Sequence, residues 1–100
     1  MDTKAKILDI AMNLNRIGNW AADDFEKKQK RISLFLNQTA QYIEAVDSEK
    51  LSKQFQKTFL KFLAEYKKLE AANPSKSNSI YWAETMMTWG NILTHRSKLL

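Results

Sequence analysis

The chain has 100 residues, of which 44% are hydrophobic and 27% are charged, and this is enough for one globular domain but too short for two. Sixteen basic residues outnumber eleven acidic ones, but the resulting charge of +5 is spread along the chain, unlike the concentrated charge of a dedicated nucleic-acid binder. Two glycines, one proline and no cysteine exclude disulfides, thiolate metal sites, a thiol nucleophile and most hairpin turns, so we expect a single all-α domain over residues 1–100.

In the first two predicted helices the apolar residues follow one continuous helical spacing, which we call the apolar phase. Apolar residues at helical spacing predict a helix over about residues 3–17, and Gly18 is interpreted as its end because glycine favours the left-handed cap conformation. A second helix is predicted over about residues 21–46, with Asp23 and Asp24 in its opening turns near the positive end of the helix dipole. Because the apolar phase continues through Gly18, the alternative is a three-helix arrangement in which these helices are continuous and kinked at this glycine.

The third predicted helix carries the strongest pattern in the chain. It is predicted over about residues 49–71, with Asp47 or Ser48 as its N-terminal cap. Its aromatic-rich apolar residues advance by three or four positions and so share one face, which has to be covered by other helices: Leu51, Phe55, Phe59, Phe62, Tyr66 and Leu69.

The fourth predicted helix follows the one clear loop, residues 73–79. Pro74 ends the preceding helix, because it disfavours helical geometry in the residue before it. The last helix is predicted over about residues 80–98, capped by Asn78 or Ser79. Four helices with short connections predict an up-and-down antiparallel four-helix bundle.

A row of lysines, the lysine ridge, is predicted on the opposite side of the third helix from its apolar face: Lys50, Lys53, Lys57 and Lys61. No acidic residue interrupts this ridge, so it is the candidate contact for a polyanion, either nucleic acid or an anionic membrane surface. The alternative is a solvated lysine face that keeps the protein soluble.

The last helix is poor in charge and rich in large side chains. Trp82 and Trp89 are seven residues apart and share a face, which we interpret as core; the alternative is a stacking platform for bases. Ile80 and Met87 lie away from that face and predict a homodimer contact; the alternative is a wide core face with scattered surface residues. Gly90, inside the helix, indicates close approach of another backbone.

No group of residues with catalytic or metal-binding spacing is visible. His95 is the only histidine and has no carboxylate three or four positions away, so we predict no catalytic, metal or cofactor site. The chain lacks an apolar segment of about 20 residues and an export signal, so we expect a cytoplasmic protein without a membrane span. We predict a non-catalytic protein, not an enzyme, acting through protein–protein contacts as a homo-oligomer or adaptor. The alternative is a nucleic-acid-binding accessory protein that uses the lysine ridge.

Overall fold

A computed structural model describes residues 2–72 and 78–100, which form four α-helices and no β-strand. The α-helices are α1 (Thr3–Asp24), α2 (Gln29–Glu44), α3 (Lys53–Ala71) and α4 (Ser79–Arg96), and short 3-10 turns span Ser48–Lys50 and Ser97–Leu99. The molecule measures 38 × 21 × 20 Å. Helix α1 has 22 residues and is about 33 Å long, so it runs along the longest dimension of the molecule. The predicted all-α, four-helix fold is confirmed.

Helix α1 continues through Gly18, which corrects the prediction that it ends there. Neither glycine has a positive φ, so Gly18 does not adopt the left-handed cap conformation. A Cβ at Gly18 would overlap Met87 Cγ and lie 2.9 Å from the Ala83 carbonyl oxygen. A Cβ at Gly90 would lie 3.0 Å from the Ala11 carbonyl oxygen, which confirms the close approach predicted there. Both glycines therefore allow α1 and α4 to pack closely as antiparallel neighbours.

The turn between α1 and α2 lies at residues 25–28, later than predicted. Because this turn interrupts the chain between the two helices, the alternative in which they are continuous is wrong. Asp24 Oδ1 accepts a hydrogen bond from the Lys27 N–H at 3.1 Å. Asp23 pairs with Lys28 at 2.6 Å, and this hydrogen bond and positive charge lower the pKa of the Asp23 carboxyl. Both aspartates therefore end α1 instead of opening α2, because the apolar phase that runs on to residue 25 belongs to α1.

Helix α3 begins at Lys53, later than predicted, because its cap is Ser52. The Ser52 Oγ accepts a hydrogen bond from the Phe55 N–H at 3.1 Å. Asp47 instead caps the 3-10 turn by accepting from the Glu49 N–H at 3.1 Å. All six residues of the predicted apolar face are nevertheless buried: Leu51, Phe55, Phe59, Phe62, Tyr66 and Leu69.

Helix α4 begins directly after Asn78, which occupies the predicted cap position. The rest of the predicted loop, with Pro74, falls on residues 73–77, outside the described residues. Trp82 is buried, and its indole N–H donates a hydrogen bond to the Leu69 carbonyl oxygen at 3.0 Å. The interpretation of Trp82 as a core residue is confirmed, and α4 packs antiparallel to α3 as well as to α1.

A buried polar cluster connects α2 to both α1 and α3. Asn13 is only 3% exposed, and its side-chain amide donates to Gln38 Oε1 at 3.0 Å and to Thr39 Oγ1 at 3.3 Å. The Tyr66 hydroxyl donates to the Leu36 carbonyl oxygen at 3.0 Å. These bonds satisfy polar groups that would be costly to bury alone, so they favour one arrangement of α2 against its neighbours.

Candidate functional site

Three of the four lysines in the predicted ridge lie on the outer side of α3. Lys53, Lys57 and Lys61 are exposed and follow one another by four residues, which is a rise of about 6 Å per step. Lys50 lies in the 3-10 turn that precedes α3. Because Leu51 and Ser52 are extended between that turn and the helix, Lys50 does not continue the row.

Lys57 and Lys61 line an open groove between α3 and the second half of α4, with a volume of about 360 Å³. Arg96 lies across this groove, and its Nη1 donates a hydrogen bond to Thr58 Oγ1 at 3.1 Å. The guanidinium of α4 is thereby held beside the lysines of α3. We call this the basic groove, and its lining residues are Lys57, Thr58, Lys61, Trp89, Ile92 and Arg96.

Trp89 belongs partly to the core and partly to the basic groove. It is half-buried, and its ring lies 5.7 Å from the Phe62 ring with an interplanar angle of 53°. Trp82, predicted to share its face, is instead buried and hydrogen-bonded to α3. The two tryptophans therefore lie in different environments. Trp89 lines the basic groove, whereas Trp82 lines a separate groove in which Lys68 is accompanied by the acidic Glu65.

All the charged residues that line the basic groove are positive. No carboxylate lines it, and among residues 2–72 and 78–100 none of its three cations forms an ion pair. Glu65, the next acidic residue along α3, lies 3.8 Å from Lys68 and lines a separate groove nearer the other end of the helix pair. Three positive charges thus remain available to an anionic ligand.

The predicted interface residues Ile80 and Met87 differ in accessibility. Ile80 is 50% exposed, whereas Met87 is partly buried and packs against Gly18 of α1. Tyr81, beside Ile80, is 76% exposed. A contact on this part of α4 would therefore use Ile80 and Tyr81 more than Met87.

Apart from Arg96, which is exposed and lines the basic groove, the exposed residues of α4 carry little charge. We call these other residues the α4 outer face, and it comprises Ile80, Tyr81, Glu84, Thr88, Asn91, Thr94 and His95. Glu84 is its only residue of the Asp, Glu, Lys and Arg types. The hydroxyls of Thr88 and Thr94 each donate to a backbone carbonyl of their own helix at 2.8 Å. These two threonines therefore need no outside acceptor when the face is covered.

The described residues contain no arrangement of His, Asp and Glu side chains, three or more together, that could hold a metal ion. His95 lies on the exposed side of the last turn of α4, beside a shallow depression lined by Asn91, Ile92 and Arg96, with no carboxylate among them. Within the same residues, no helix combines the length and apolar character needed to cross a membrane.

Comparison with protein-family models, with curated proteins and with solved structures finds no match for this chain. The molecule presents two distinctive surfaces, the basic groove and the α4 outer face.

Sequence reasoning did not identify Tyr81, Ile92 or Arg96 as site residues. Trp89, Ile92 and Arg96 are spaced by three and four residues, so the sequence does place them on one side of a helix. Which side of α4 meets Lys57 and Lys61 depends on how α3 packs against α4, and residue spacing does not define that packing.

Proposed function

We propose that this chain is a non-catalytic helical protein that acts through protein contact, and that the contact joins the α4 outer face to the same face of a second copy. The observation that carries this proposal is the lack of charge on that face. Each copy has a net charge of +5, so two copies repel each other unless they meet where positive charge is scarce. In a two-fold contact the same surface is used by both copies, so a positively charged surface would meet an equally positive one.

The other exposed surfaces are less suited to self-association. The outer side of α3 carries Lys53, Lys57 and Lys61, whose ammonium groups would lose hydration against an equally basic surface. On the α4 outer face, Ile80 and Tyr81 expose apolar area near the start of the helix. Tyrosine is among the residues that most often dominate binding energy at protein interfaces.

The test is the solution mass of the protein as a function of concentration, measured by sedimentation equilibrium. We expect a dimer that dissociates on dilution, and we expect the double variant Ile80→Lys/Tyr81→Lys to remain monomeric while its helical circular dichroism is unchanged. Both side chains are at least half exposed, so their replacement removes little from the core. Met87 is unsuitable for this test because it packs against Gly18.

The control is Leu34→Lys, which adds one positive charge, half of that added by the double variant, at an apolar residue of α2 that is 64% exposed. This variant should dimerise like the unmodified protein. A monomeric mass up to about 1 mM, which corresponds to a contact weaker than about 4 kcal/mol, would rule out self-association. Equal weakening by Leu34→Lys would show that added charge, and not the α4 outer face, controls the mass.

A further inference from the structure

We propose that the basic groove binds single-stranded nucleic acid, with phosphates on Lys57, Lys61 and Arg96 and a base against Trp89. The groove lies between α3 and α4, and none of its lining residues belongs to the α4 outer face. Its occupation therefore does not depend on self-association.

The first support is the charge of the groove. Three cations line it without a carboxylate, and the described part of the chain provides no ion-pair partner for any of them. Cations that already have acidic partners gain little from a phosphate, whereas unpaired cations release bound counterions from a nucleic acid when they contact it.

The second support is the order of the cations along the groove. Lys57 and Lys61 are separated by about 6 Å along α3, and Lys53 precedes them by the same step on the outer side of the helix. Arg96 enters from α4 and is held by Thr58 at 3.1 Å, with further guanidinium N–H groups left to donate. The cations are therefore placed to follow an extended phosphate backbone instead of one isolated anion.

The third support is the aromatic wall, which favours a single strand over a duplex. Bases of a single strand are free to stack on an aromatic side chain, and this stacking is tolerant of sequence, whereas duplex bases are stacked on each other. The half-buried Trp89 and the adjacent Ile92 supply such a wall within the groove. An anionic membrane surface matches this arrangement less well, because a concave groove holds a strand more readily than a flat layer of headgroups.

The direct test is fluorescence anisotropy of a labelled oligothymidylate titrated with the protein. With three phosphate contacts, the association constant should fall about 20-fold between about 50 and about 200 mM salt. Duplex DNA of the same length and vesicles containing phosphatidylserine serve as competitors, and both should displace the oligonucleotide poorly.

The variant that tests the groove is Lys57→Gln/Lys61→Gln, matched by Lys27→Gln/Lys30→Gln, which removes the same charge from exposed lysines at the start of α2 and the turn before it. The groove variant should bind at least about 10-fold more weakly at low salt. Its plot of log association constant against log salt should be less steep by about 1.4, whereas the control should stay near the unmodified protein.

Intrinsic fluorescence tests the stacking step. Binding should quench tryptophan emission, and Trp89→Phe, which keeps a ring beside Phe62, should abolish most of that quenching. The proposal is overturned if no binding occurs at low salt, or if duplex or vesicles compete as well as the single strand. It is also overturned if both lysine variants weaken binding equally or if quenching persists without Trp89.

Discussion

Helices α1 and α4 pack by bringing their backbones together, whereas α3 packs through long aromatic side chains. The backbones of α1 and α4 approach more closely along their length than those of any other helix pair in the described residues. Glycines and alanines make this possible, as shown by the position of Gly18 beside Ala83. In contrast, α3 meets its neighbours through a row of aromatic rings whose consecutive centroids lie 5.6 to 6.2 Å apart along the helix. One of these rings, that of Phe62, lies 5.7 Å from the Trp89 ring of α4.

This difference explains where the basic groove forms. Small residues bring the backbones of α1 and α4 close together at Gly18 and Gly90. Large rings hold α3 and α4 further apart, so a depression remains beside Trp89 and is lined by side chains from both helices. The type of apolar residue, and not only its spacing, therefore determines which helix pair presents a groove.

The largest effect is expected from removing an aromatic ring of α3. Phe62 is fully buried and contacts both Tyr66 and Trp89, so Phe62→Ala should lower the free energy of unfolding by about 3–5 kcal/mol. Urea denaturation measures this loss. Leu60→Ala, at a position that is 65% exposed, should cost less than about 0.5 kcal/mol. Similar losses for both variants would mean that the rings do not hold α3 in place.

A smaller effect is expected between α1 and α4, where stability should be lost by adding a methyl group instead of by removing a side chain. Alanine is the better helix former by about 1 kcal/mol, but the methyl group in Gly18→Ala would overlap Met87 and crowd the Ala83 carbonyl oxygen. We expect a net loss of up to about 2 kcal/mol in urea denaturation. Ala22→Gly, on the exposed side of α1, measures the helix-propensity contribution alone. A stabilising Gly18→Ala would show that these helices are not in close contact.

The smallest effect is the contribution of the Tyr66 hydroxyl to stability, which depends on pH. Burial raises the pKa of the Tyr66 hydroxyl above its ordinary value, and the charge of Glu70 adds to this, while a hydrogen bond with Thr39 partly opposes it. The folded protein therefore keeps this proton when the unfolded chain loses it, above about pH 10, so rising pH favours unfolding.

Comparison of the unmodified protein with Tyr66→Phe isolates the contribution of the Tyr66 hydroxyl to the pH dependence of stability. Below about pH 9 the unmodified protein should be more stable by about 1 kcal/mol, because Tyr66 donates to the Leu36 carbonyl oxygen. This advantage should shrink as the pH rises towards 11, and urea denaturation at several pH values measures it. A constant difference across that range would contradict the burial of a neutral Tyr66.

Residue spacing correctly predicted four helices, the burial of the α3 apolar face and the close approach at Gly90, because all three depend on local periodicity or on the absence of a side chain. It was wrong about Gly18, since a glycine suits both a helix end and a close helix contact. It also placed the start of α3 too early, because Asp47 and Ser52 are both residue types that cap helices. Asp47 caps the 3-10 turn, and Ser52 caps α3.

The sequence by itself determined that this chain forms amphipathic helices and has no thiol or histidine pair for catalysis, because composition and helical period are properties of the chain alone. Only the tertiary structure decided which lysines stand beside Arg96 and Trp89 and which side of α4 is left uncovered. These features depend on the rotation and distance of one helix relative to another, which are set by the packing of glycines against carbonyl groups and of rings against rings.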